Sequence, residues 1–166
     1  MIKEKYKGKS GVEYIFEYSE KDSFDGLDYN LCRQVYGVCF YEGKMVIGYG
    51  GQKKSWGLIG GTIEKGETFL ETFKREIKEE SNMEVLDTLP VGFQKVLDMR
   101  DNSFIYQLRY VCTVRPYGPF ISDPAGGVTE IKLIYPIEYK KYFDWGKIGQ
   151  RIIDRAVKLL PELKAS

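Results

Sequence analysis

The sequence contains no histidine, and this absence narrows the chemistry that the chain can perform. A histidine general base, a Ser-His-Asp triad and histidine metal ligands are all excluded. The side chains that remain for catalysis are carboxylates, lysine, tyrosine and cysteine, alone or with a bound metal ion.

Cysteine is scarce, and long apolar segments are absent. The three cysteines, Cys32, Cys39 and Cys112, form no CxxC pair, which argues against a disulfide framework and against a zinc site. The N-terminal residues show no apolar segment of the kind found in signal peptides. No apolar run approaches the ~18 residues that a membrane span requires. We therefore expect a reduced, cytoplasmic protein without a membrane partner.

Net charge is also small. The 25 basic and 24 acidic residues give +1, whereas domains that bind nucleic-acid polymers usually carry a clear basic excess. No nucleic-acid polymer is therefore expected as a partner. The thirteen tyrosines favour β-rich packing over a platform that stacks bases. A length of 166 residues suits one domain, residues 1–166.

The order of apolar patterns predicts the fold class. Strand-like patterns cover residues 11–18, 91–99, 103–114 and 128–135. Two further strands lie within residues 31–49 and are joined near Glu42-Gly43. Helical periodicity covers 67–81 and 145–163, and residues 115–127, with three prolines and three glycines, predict a loop. This order predicts an α+β fold in which a mixed β-sheet is sandwiched between α-helices.

The first predicted helix carries acidic residues on an unexpected side. On a helical wheel, the core-facing stripe is formed by Phe69, Leu70, Phe73 and Ile77, and the solvated face by Glu71, Lys74, Arg75 and Lys78. Glu76 and Glu80 lie on or beside the apolar stripe, with Glu79 nearby. A solvated face with an Arg75–Glu79 ion pair is the alternative interpretation. Half-buried carboxylates, however, need a compensating cation. Lysine or arginine could supply it, but three hard oxygen donors suit Mg²⁺ or Mn²⁺ better.

Two glycines precede this helix. Gly60 and Gly61 allow the backbone to approach a ligand closely, and a carbonyl there can supply a further oxygen ligand. A simple tight turn is the alternative interpretation.

Residues 61–83 resemble the signature of the Nudix hydrolases. The matching positions are Gly61, Glu67, Arg75, Glu76, Ile77, Glu79, Glu80 and Met83. Two positions depart from the family: Asn82 stands where a glycine usually ends the helix, and Ile59 where a proline precedes the glycine pair. Asparagine tolerates the left-handed conformation, so we expect the turn to be kept. Residues 38–48 are similar to the family's central hairpin, and residues 130–136 to its late strand.

The resemblance implies a Nudix fold and a magnesium-dependent hydrolase that cleaves a diphosphate bond in a nucleotide-like substrate. It implies that Glu76, Glu79 and Glu80 hold Mg²⁺, or Mn²⁺, together with the Gly60 carbonyl. Catalytic roles fall to Glu76, Glu79 and Glu130, with Glu76 as the favoured general base and Glu130 as the second candidate. An ordinary exposed strand residue is the alternative interpretation of Glu130. Supporting roles fall to Gly61, to Glu67, which shapes the loop or binds a second metal, and to Arg75, which orients the glutamates.

The substrate is chosen by elimination. Oxidised nucleoside triphosphates, nucleotide sugars, ADP-ribose and dinucleoside polyphosphates are all open. The sequence lacks the downstream proline typical of ADP-ribose hydrolases and the tyrosine typical of dinucleoside polyphosphate hydrolases, which favours a nucleoside triphosphate. A Nudix scaffold that senses nucleotides without hydrolysing them and a purely structural interaction domain are the alternatives. Whether the chain forms a homodimer is left open.

Overall fold

A computed structural model describes residues 1–165 as nine strands and two α-helices. The strands are β1 (Ile2–Lys7), β2 (Glu13–Glu20), β3 (Cys32–Tyr41), β4 (Lys44–Gly50), β5 (Ser55–Gly57), β6 (Ile59–Thr62), β7 (Met83–Asp98), β8 (Phe104–Pro116) and β9 (Val128–Ile134). The helices are α1 (Phe69–Ser81) and α2 (Gly146–Leu159), and short 3-10 turns occupy Tyr29–Leu31, Pro136–Lys141 and Leu160–Glu162.

All nine strands belong to one mixed sheet. Its order is β1-β2-β7-β8-β3-β4-β5, while β6 pairs with β3 and β9 pairs with β4. The β3–β8 pair is parallel and every other pair is antiparallel. β3 therefore lies at the centre, between β8 on one side and β4 and β6 on the other.

One helix covers each face of the sheet. Phe73 and Ile77 of α1 pack into an apolar cluster with Val35 and Leu108. A second cluster, on the opposite face, contains the α2 residues Ile148, Ile152, Ile153 and Ala156. The prediction of a mixed sheet sandwiched between helices is confirmed.

Local sequence signals set the ends of these elements. The β3–β4 hairpin turns at Glu42 and Gly43, both with positive φ, where the sequence predicted it. Thr68 caps α1, since its hydroxyl oxygen accepts a hydrogen bond from the Glu71 amide at 3.1 Å. Asn82 ends α1 in the left-handed conformation, at φ 55° and ψ 42°, as expected for the residue in place of glycine.

Several predicted boundaries were wrong. Strand β1 was not predicted, and β7 begins at Met83 rather than near residue 91. Asp87 and Pro90 weaken the strand pattern in that segment, and the sheet accommodates both residues with register shifts. Helix α1 begins at Phe69 rather than at residue 67, because Thr68 is its cap. Leu70, predicted to face the core, is exposed.

Neither α-helix within residues 1–165 has the length and apolar character needed to cross a lipid bilayer.

Candidate active site

Strand β6 and the turn after it fix α1 over the sheet. Gly60 and Gly61 pair with Tyr36 and Val35 of β3, and a side chain at Gly60 would overlap the β3 backbone. The ring of Phe73 fills the space that a side chain at Gly37 would occupy, so α1 packs directly on β3. Residues 76–80 of α1 are thereby held beside the two glycines.

Arg75 is the centre of the acidic cluster rather than a member of a solvated face. Its guanidinium donates to Glu67 at 2.7 and 2.9 Å, to Glu76 at 2.9 Å and to Glu79 at 3.3 Å. It also donates to the Thr62 carbonyl at 3.1 Å. These hydrogen bonds, above all those to Glu67, raise the pKa of Arg75. The helical wheel placed Arg75 on the solvated face, because a wheel takes no account of the turn that folds back over α1.

Glu67 joins the turn to the helix. Its carboxylate accepts hydrogen bonds from Arg75, from the Glu64 amide at 2.9 Å and from the Thr72 hydroxyl at 3.0 Å. These donors, Arg75 first, lower the pKa of Glu67 to about 2. Glu67 is therefore a fixed anion that orders the turn and holds Arg75.

Glu76 and Glu80 are the least hydrated carboxylates of the cluster. Burial raises the pKa of Glu76, although Arg75 opposes the shift. Burial also raises the pKa of Glu80 to about 8, against the opposing hydrogen bond from the Gly60 amide at 2.9 Å. The Glu76 carboxylate lies against Gly61 so closely that any side chain there would collide with it. Burial therefore disfavours the charged form of both carboxylates, more strongly at Glu80 than at Glu76, which Arg75 contacts.

Asp123 is an acidic residue near this cluster that the sequence did not single out. It is buried in the loop 117–127, and its negative charge contributes to the raised pKa of both Glu76 and Glu80. Its carboxylate accepts backbone hydrogen bonds from Ala125, Gly127 and Val128 at 2.8, 3.0 and 2.9 Å. The Asp-Pro dipeptide in a loop rich in glycine and proline was the available signal for such a turn.

The structure does not bring Glu130 to the cluster. Glu130 is exposed on β9 and pairs with Tyr49. Its neighbour Ile131 packs on the α1 side of the sheet, whereas Lys132 lies over the rings of Trp56 and Tyr142 on the α2 side. Side chains alternate along a strand, so Glu130 points to the α2 side. Its catalytic role stays a prediction.

The donor set suits a divalent cation. Within residues 1–165, no three histidine, cysteine or acidic side chains converge with the geometry of a ready metal site. The reason is that Arg75 holds Glu76 and Glu79 while the Gly60 amide holds Glu80. Carboxylate and carbonyl oxygens are nevertheless the ligands that Mg²⁺ and Mn²⁺ prefer. The residues fit such an ion once these carboxylates turn toward it.

The fold and the site together define a class: a mixed sheet between two helices, with a glycine-rich strand and turn leading into an acidic helix. The family model of the NUDIX domain matches residues 34–146, more than half of the chain. The chain therefore belongs to the Nudix family. Its match contains β6, the turn and α1.

Solved structures share this fold. A point mutant of the Bacillus subtilis pyrophosphohydrolase BsRppH is 18% identical with a TM-score of 0.68, and 96% of each chain is covered. A Nudix hydrolase from Nitrosomonas europaea is 15% identical with a TM-score of 0.62, covering 75% of this chain and 87% of that one. An ADP-ribose pyrophosphatase from Streptococcus suis is 14% identical with a TM-score of 0.52, covering 76% and 90%. A comparison with curated proteins finds no match.

Proposed function

We propose that this chain is a magnesium-dependent hydrolase of a diphosphate bond in a small nucleotide-like substrate, with a nucleoside triphosphate preferred. The observation that carries the proposal is the pair of half-buried carboxylates, Glu76 and Glu80, set against the backbone of Gly60 and Gly61. Two structures with this fold are described as a pyrophosphohydrolase and an ADP-ribose pyrophosphatase, which supports cleavage of a diphosphate bond.

The proposed metal ligands are Glu76, Glu79 and Glu80, with the Gly60 carbonyl as a fourth donor. A bound Mg²⁺ or Mn²⁺ supplies charge neutralisation for the diphosphate and lowers the pKa of a coordinated water. Glu79 is more exposed than Glu76 and lines a cleft beside the acidic cluster.

Proton transfer is assigned to Glu76. It is half-buried, and the Arg75 guanidinium at 2.9 Å fixes its orientation. As general base it takes a proton from the water that attacks one phosphorus of the diphosphate, the bridging P–O bond breaks, and a phosphate or nucleoside monophosphate leaves. Arg75 and Glu67 act through other groups: Glu67 holds Arg75, and Arg75 orients Glu76 and Glu79.

We also propose that residues 1–166 form one domain and that it acts on a small molecule in the cytoplasm. A reduced compartment suits Cys32, Cys39 and Cys112, which are all buried as free thiols.

Glu80→Gln tests the proposal, with Glu71→Gln as the matched control. Glu71 is an exposed glutamate of the same helix. We expect Glu80→Gln to lower kcat on the best nucleotide substrate by about 10²- to 10⁴-fold in a phosphate-release assay with Mg²⁺, at an unchanged far-UV spectrum. Full activity of Glu80→Gln would disprove the site. Tight nucleotide binding by the wild type without any product, over a broad panel, would favour the sensor instead.

A further inference from the structure

A cleft of about 470 Å³ opens beside the acidic cluster, between α1 and the loop 117–127. Its volume falls in the range of small-molecule sites, roughly 300–1,000 Å³. The helix wall includes Lys78, Glu79 and Asn82, and the loop wall includes Pro119, Ile121 and Pro124. Glu79 thus belongs both to the acidic cluster and to this cleft.

The two walls differ in chemistry. The helix wall presents a cation at Lys78, whose ammonium lies 5.4 Å from the centre of the Tyr117 ring. The loop wall presents proline rings and the side chain of Ile121, which is 87% exposed. An exposed isoleucine between two prolines offers apolar area that a ligand can cover. The cleft therefore suits a ligand with an anionic part and a flat apolar part.

Hydrogen bonds hold the loop wall in place. The Asn82 side-chain amide donates to the Pro119 carbonyl at 3.0 Å, and the Tyr117 amide donates to the Asn82 carbonyl at 3.0 Å. At the other end of the loop, the Asp123 carboxylate accepts three backbone amides. Asn82, which stands where the Nudix signature has glycine, thus forms one edge of the cleft. A wall held at both ends is preformed, which limits the entropy lost on binding.

We propose that this cleft binds the nucleoside part of the substrate. The base packs on Pro119, Ile121 and Pro124, while Lys78 pairs with a phosphate oxygen next to Glu79. This inference rests on the proposed function, because it places the nucleoside on the Glu79 side of the cluster.

The test compares two ligands by calorimetry in the presence of Mg²⁺. One is a non-hydrolysable nucleoside triphosphate analogue, and the other is inorganic tripolyphosphate, which has the phosphates without a nucleoside. The variants are Ile121→Ser and Lys78→Ala. Their controls are Ile137→Ser, at a residue 93% exposed after β9, and Lys74→Ala, at an exposed residue one turn earlier in α1.

We expect Ile121→Ser to weaken binding of the analogue by about 5- to 10-fold and to change the Kd of tripolyphosphate by less than about 2-fold. Lys78→Ala should weaken both ligands by about 3- to 10-fold, because it removes a phosphate contact. The two controls should bind both ligands as the wild type does. Since Ile121 is exposed, thermal unfolding should confirm that its variant folds.

Two outcomes would overturn the inference. One is that Ile121→Ser binds the analogue with wild-type affinity. The other is that it loses affinity equally for both ligands, which would mean that the cleft binds only phosphate. Because the readout is binding, it does not depend on turnover. If the wild type hydrolyses no nucleotide but Ile121→Ser still weakens binding of the analogue, the proposed hydrolase would be refuted and the cleft supported.

Discussion

Asn82 has two structural tasks, one in its backbone and one in its side chain. Its backbone adopts the left-handed conformation that closes α1, which glycine would adopt more readily. Its side-chain amide bridges to Pro119, which glycine cannot do. Asparagine in place of the signature glycine therefore adopts the left-handed conformation less readily, but it adds a hydrogen bond that anchors the loop 117–127.

Substitution at Asn82 separates the two tasks. Asn82→Ala should lower the free energy of unfolding by about 1–2 kcal/mol, because alanine is strained at positive φ and the bridge is lost. Asn82→Gly should change it by less than about 0.5 kcal/mol, because relief of the backbone offsets the lost hydrogen bond. Urea titrations of the two variants and the wild type measure both values. Equal losses in the two variants would show that the bridge alone matters.

At the scale of elements, the turn before α1 depends on one carboxylate. Glu67 accepts from the turn at Glu64, from the helix at Thr72 and from Arg75. Its pKa in the folded protein, about 2, lies below the ordinary 4.5. The stability that this carboxylate contributes is thus fully present above pH ~4.5 and is lost as the pH falls toward 2.

Glu67→Gln should therefore lower the Tm at pH 7 and do so less at pH 3. Glutamine keeps the shape of the side chain but loses the charge to which Arg75, the Glu64 amide and the Thr72 hydroxyl donate. Thermal unfolding of the wild type and the variant from pH 7 to pH 3 gives the difference at each pH. Glu71→Gln, in the exposed first turn of the same helix, is the control. A gap in Tm that widens on acidification would contradict the assignment.

The acidic helix was largely predictable from the sequence, and its surroundings were not. Periodicity placed Phe73 and Ile77 in the core and Glu76 and Glu80 beside them, because these positions depend only on helix geometry. The contacts of Arg75 and the position of Asp123 depend on how a turn and a distant loop fold over the helix. Sequence spacing carries no information about such contacts, so the wheel placed Arg75 on the solvated face and Asp123 was missed. Only the family resemblance indicated that Arg75 contacts the glutamates.

On the scale of the whole molecule, the N-terminal strand is tied to the C-terminal helix. Glu4 of β1 accepts hydrogen bonds from the α2 amides of Ile148 at 2.7 Å and Lys147 at 3.3 Å. A side chain at Gly146 would collide with the Glu4 carboxylate. The carboxylate thus caps a helix at the other end of the chain, where the positive end of the helix favours an anion. Local patterns in residues 1–10 did not indicate this, and β1 was not predicted.

Glu4→Ala should lower the free energy of unfolding by about 1 kcal/mol, because it uncaps α2. Lys5→Ala is the matched control, since Lys5 is exposed on the same strand. Urea unfolding at neutral pH measures both. A loss as large in Lys5→Ala would mean that the strand itself, rather than the cap, is responsible.

The parallel pairing of β3 with β8 also bears on how the molecule assembles. The partners Val35 and Leu108 are far apart in sequence, and β6, the turn and α1 all lie within the chain that connects them. Closing so long a loop costs conformational entropy before the β3–β8 pairing contributes stability. We therefore expect this pairing to be a slow step in folding. Helix α1 can form early as a local structure, but the sheet on which it packs is complete only when β8 docks. The acidic cluster therefore gains its burial late in folding.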